Sequence, residues 1–102
     1  GDALKVTSED MIKFSEINGT DVTNATIQSK QAMEAYGLSI DDLTEILDNV
    51  TYVSQDTGVS VDELMKKATD GAPQIKMLGL EFGEAVTLIG QTGWIHPQRF
   101  LD

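Results

Sequence analysis

The chain has 102 residues, 40% of them hydrophobic, and a formal net charge of −10 at pH 7. That length holds one domain with one modest core, and the absence of cysteine excludes disulfides and thiolate metal sites. The acidic balance repels phosphate, so direct nucleic-acid binding is not expected, and apolar runs of a few residues predict no membrane-spanning segment.

Aromatic residues are sparse: Phe14, Tyr36, Tyr52, Phe82, Trp94 and Phe100. The core must therefore be mostly Leu, Ile, Val, Met and Ala, which suits helix packing. The N-terminus, Gly1-Asp2-Ala3, has no initiator Met, no basic n-region and no apolar h-region. The chain reads as a piece of something longer, with Gly1 as a cloning scar and residues 1–7 as a flexible lead.

The pattern then divides into helices. Gly19, Gly37, Gly58 and Gly79 each stand where a left-handed glycine stops a helix. A first helix is expected from just after Thr7 or Ser8 to Ile17, with Met11, Phe14 and Ile17 on one side. Asp21 caps a second helix, Val22 to Tyr36, whose apolar set is Val22, Ala25, Ala32, Met33 and Tyr36 around a polar middle. Ser39-Ile40-Asp41-Asp42 resembles a capping box. It opens a third helix in which Ile40, Leu43, Leu47, Val50 and Val53 form one stripe at three- and four-residue steps, while Asp41, Asp42, Glu45 and Asp48 fall on the wet side. Thr51-Tyr52-Val53 has β propensity but continues this stripe.

Ser60-Val61-Asp62-Glu63 is a full capping box in sequence and opens a fourth helix, with Val61, Leu64, Met65 and Ala68 inward. Gly71 breaks it, and Pro73 restarts a short fifth helix carrying Ile75 and Leu78. A sixth runs from about Phe82 to Ile89, with Phe82, Ala85, Val86 and Ile89 inward, and Gly90 and Gly93 end it. The helical domain is thus predicted over residues 8–90. Residues 91–102 read as an irregular C-terminal tail. The fold class is all-α, a compact bundle of about five to six short helices.

A shift of about forty residues superposes the pattern on itself. Gly19 falls on Gly58, Asp21 on Ser60 and Val22 on Val61. After an insertion around Thr69 to Gly71, Met33 falls on Ile75, Tyr36 on Leu78, Gly37 on Gly79 and Leu38 on Leu80. Ile40 then falls on Phe82 and Leu47 on Ile89. The chain is read as two diverged helix-turn-helix repeats, units of the kind that bury their inner faces by stacking.

Chemistry-bearing constellations are missing. His96 is a lone histidine without cysteine, which gives no metal cluster. There is no Gly-X-Ser-X-Gly frame and no phosphate loop; Gly90-Gln91-Thr92-Gly93 is too short for one. The acidic pairs Glu9-Asp10, Asp41-Asp42 and Asp62-Glu63 are placed in helix first turns, where negative charge complements the macrodipole. No catalytic, cofactor-binding or metal residue is assigned, no cofactor is expected, and the chain is read as no enzyme.

From Phe14 to about Gln91 the chain resembles the conserved helical segment of phage tail tape-measure proteins. The resemblance is carried by an ordered set. It begins with Asn18-Gly19-Thr20-Asp21-Val22, then Ala32-Met33 before Tyr36-Gly37-Leu38-Ser39, and Asp41-Asp42-Leu43. Ser54-Gln55-Asp56-Thr57-Gly58-Val59-Ser60-Val61 follows, then Ala72-Pro73, Leu78-Gly79-Leu80, Glu84-Ala85 and Gly90-Gln91. Trp94-Ile95-His96-Pro97 departs from it. The resemblance implies a phage or prophage virion protein lying in the tail-tube lumen, and in the host cytoplasm during assembly. It would set tail length and meet other segments of its own long chain, tail assembly chaperones and the tail tube protein. Open apolar faces left by missing segments predict self-association. The alternative is a generic helical protein–protein interaction module.

Overall fold

The computed structural model describes the backbone of residues 2–93 and the side chains of residues 9–93. The helices are α1 (Asp2–Asn18), α2 (Val22–Tyr36), α3 (Leu43–Thr57), α4 (Val61–Asp70), α5 (Ala72–Met77) and α6 (Phe82–Thr92), with a 3-10 turn, Ile40–Asp42, leading into α3. Among the described residues there is no strand, and the fold is the predicted all-α bundle.

One turn design joins most of these helices. Gly19, Gly37, Gly58 and Gly79 all have positive φ, between 64° and 83°, a conformation that costs an L-residue roughly 1–2 kcal/mol. After each glycine comes a half-buried residue (Thr20, Leu38, Val59 or Leu80) and then the cap of the next helix. Asp21 Oδ2 accepts from the Asn24 N–H at 2.9 Å, and Ser60 Oγ from the Glu63 N–H at 3.2 Å. At the other two turns the bond runs backwards. Asp42 Oδ2 accepts from the Ser39 N–H at 2.9 Å, and Glu84 Oε1 from the Glu81 N–H at 3.0 Å. The Ser60 box is only half formed, because the Glu63 carboxylate pairs instead with Lys67 at 3.4 Å.

The repeat register holds at its two Gly-Leu turns. The Leu38 N–H donates to the Met33 carbonyl at 2.8 Å, and the Leu80 N–H donates to the Ile75 carbonyl at 3.3 Å. Both are the closing bond of a Schellman stop. The second copy carries the break: α4 ends at Asp70, Gly71 follows, and Pro73 lies in the first turn of α5. Thus α2 corresponds to α4 and α5 together.

Packing follows the same correspondence. α3 packs against both α1 and α6, while α2 packs against α4 and α5; α4 also contacts α3 and α6. The core where these sets meet contains Leu43, Leu47, Val50 and Val53 of α3, with Leu64, Met65 and Ala68 of α4 and Phe82, Ala85, Val86 and Ile89 of α6. Burying each of the larger side chains contributes roughly 1.5–3 kcal/mol. The polar middle of α2 enters the core too. Ser29 is buried, and its hydroxyl donates to the Ala25 carbonyl at 2.8 Å, so its own polar atom is satisfied.

Several expectations are corrected. α1 begins at Asp2 rather than after Thr7 or Ser8. Ala3, Leu4 and Lys5 are strong helix formers and Asp2 suits a helix N-terminus, so the cap-like Thr7 and Ser8 are carried inside. Glu9-Asp10 consequently lies within α1 and not in a first turn. Ile40 is exposed, because the tighter 3-10 turn puts it out of phase with the α3 stripe. Ile17, Val22 and Leu78 are exposed as well. All lie at or just beyond a helix end, where apolar character alone does not bring a residue to a neighbour. Beside Ile17, the Asn18 side-chain amide ties α1 to α3, donating to Thr51 Oγ1 at 3.0 Å. Gly90 does not end α6, which continues to Thr92 and stops at Gly93, φ 71°.

Candidate interaction surface

The two Gly-Leu turns, distant in sequence, meet in space. Leu38 and Leu80 line one groove of about 480 Å³, with Tyr36, Ile46 and Phe82 completing its apolar part. The Tyr36 and Phe82 rings meet edge to face, centroids 5.4 Å apart, a contact worth roughly 0.5–1.5 kcal/mol beyond area burial. The Tyr36 hydroxyl donates to the Ala68 carbonyl at 2.7 Å, satisfying an acceptor in the last turn of α4. Burial pushes the Tyr36 hydroxyl from 10.0 up to about 12, because the anion would lose its water.

The rim of the groove is acidic, with Asp42, Glu45 and Glu81. Lys76 also borders it, but its ammonium donates to the Ala35 carbonyl at 3.2 Å, at the C-terminal end of α2. A second groove shares Glu45, Asn49, Leu80, Glu81 and Gly83, and continues along α6 past Glu84 and Leu88 to Gln91. The two adjoin to make one open surface channel along the seam of α3 and α6, with Leu38 and Leu80 at one end. A separate apolar patch stands at the end of α5, where Met77 is 87% and Leu78 62% exposed.

The acidic pairs read from sequence do not converge. Asp41-Asp42 and Asp62-Glu63 sit in first turns, as expected. Asp10 Oδ2 accepts from Thr44 Oγ1 at 3.2 Å, and Asp62 Oδ1 from Thr20 Oγ1 at 3.0 Å, so both pin neighbouring elements together. Among the described residues no group of three or more His, Asp or Glu could hold a metal ion. No described helix is long and apolar enough to cross a membrane. His96 and the rest of residues 94–102 lie outside the described residues. The channel escaped the sequence reading. Its one signal was the alignment of Leu38 on Leu80, which gave the turns the same shape but no reason to touch.

A helical scaffold stopped and restarted by one turn design, with no converging catalytic groups among the described residues, agrees with the comparison with known families. The family described as Phage-related minor tail protein matches residues 1–92. No curated protein and no solved structure matches the chain. The match spans all six helices, and the chain therefore belongs to the phage-related minor tail protein family, as a helical structural component of the phage tail.

Proposed function

We propose that this chain is a segment of a tail tape-measure protein, which sets tail length during assembly. Family membership gives the tail context, and the ordered resemblance from Phe14 to Gln91 narrows it. The observation that carries the reading is the repeated turn of left-handed glycine, half-buried residue and cap. Such a rule lets a chain grow by adding units without changing its local chemistry. The segment acts by shape and span, packing against further segments, assembly chaperones and the tube protein within the tube lumen. Its acidic surface fits a passage through which DNA moves without sticking.

Cross-linking mass spectrometry on purified tails tests this. Cross-links from Lys13, Lys30 or Lys66, all exposed, to tail-tube subunits are expected. Finding the protein only at the outer surface of the tail would overturn the reading in favour of a generic helical interaction module.

A further inference from the structure

We infer that the channel between α3 and α6 is a docking site for a polypeptide segment that combines apolar side chains with lysine or arginine, supplied by a different protein. The inference does not depend on whether the chain measures tail length.

The shape points to a segment and not to a small molecule. The channel runs from the paired Leu38 and Leu80 turns along α6, from Gly83 to Gln91. At 1.5 Å per helical residue that stretch is roughly 12 Å long, the span of about four extended residues. Leu38, Ile46, Leu80 and Phe82 make the lining apolar at the turns, and Leu88 adds to it along α6, so part of the occupant must be apolar.

Charge selects the rest of the occupant. Asp42, Glu45, Glu81 and Glu84 border the channel, and the one amine near them is held by the Ala35 carbonyl. Among the described residues no ion pair reaches Glu45 or Glu81. Carboxylates that bond backbone N–H groups or solvent but no cation, beside apolar side chains, favour a cationic partner and repel an acidic one. A second copy of this chain carries the same net charge of −10, so mutual repulsion disfavours it as the occupant.

The test titrates the isotope-labelled full chain with three short synthetic peptides of equal length. One alternates leucine with lysine, one serine with lysine, and one leucine with glutamate. The leucine–lysine peptide is expected to bind alone and to shift the amide signals of Leu38, Glu45, Leu80 and Gly83. Glu45→Lys, at an exposed position that bonds no cap, should weaken that binding about three- to tenfold at low salt, with the melting temperature retained. Equal binding of the serine–lysine peptide would reduce the effect to general acidity and overturn the proposal. So would shifts centred on Met77 and Leu78, or an unchanged affinity in Glu45→Lys. Concentration-dependent shifts at the same amides without peptide would assign the channel to a second copy, and would overturn it equally.

Discussion

Gly90 and Val53 lie so close that a Cβ on Gly90 would stand 2.5 Å from Val53 Cγ1. The glycine is therefore the contact point at which α6 settles onto α3. Gly90→Ala gains up to about 1 kcal/mol of helix propensity, but it must displace a stiff β-branched side chain in a packed core. A net loss of about 1–3 kcal/mol is expected from chemical denaturation. Gly83 is the built-in control. Its added Cβ would meet Asn49 Nδ2 at 3.4 Å, an ordinary contact, so Gly83→Ala should be neutral or stabilise by up to about 1 kcal/mol.

Leu43 and Leu47 are buried in the core, and Ile40 is exposed. Leu43→Ala and Leu47→Ala should each cost about 2–5 kcal/mol. Ile40→Ala should cost less than about 1 kcal/mol, because it leaves no enclosed cavity. Urea unfolding of the three variants checks the order. A loss below about 0.5 kcal/mol at both leucines would misplace the α3 stripe.

Tyr36 makes stability depend on alkaline pH. Burial holds its folded hydroxyl up at about 12, against 10.0 for a freely solvated tyrosine. Between these values the folded state holds a proton that the unfolded state has released. Stability is thus full below pH 10 and falls as the pH rises toward 12, by about 1–2 kcal/mol after allowing for solvent screening of a half-buried ring. Tyr36→Phe should flatten that decline while losing about 0.5–1.5 kcal/mol near neutrality, the net value of the bond to the Ala68 carbonyl. Melting curves across this range, with tyrosinate absorbance followed in parallel, measure both effects.

Duplex DNA at low salt should not bind the chain detectably. Low salt is the stringent condition, since screening is weakest there and a protein binding through phosphate contacts would bind most tightly. A gel-shift or anisotropy titration showing tight binding would contradict the proposal that this surface lines a tube lumen through which DNA passes.

Much of the fold was legible because its determinants are local. Asp21, Ser39 and Ser60 are caps that bond within their own turns, and the αL glycines stop helices by backbone sterics alone. The α4 stripe of Val61, Leu64, Met65 and Ala68 is buried as its spacing predicted. What stayed hidden depends on neighbours remote in sequence. Gly90 looks like a stop until Val53 is known to press on it. Ser29 looks like a solvent position until Ala25 and Ala32 beside it prove buried. The channel exists because Tyr36 meets Phe82 across the bundle, and no periodicity within one helix records that meeting.

Tail length in a phage carrying an altered gene tests the central claim most directly. Residues 2–93 would be duplicated in frame in the gene that encodes them, and tails measured by electron microscopy. The account predicts longer tails. The increment should lie between about 48 Å, the long axis of the folded unit, and roughly 140 Å, the length of the same residues drawn out as one continuous helix. Intact particles with tails of unchanged length would contradict it.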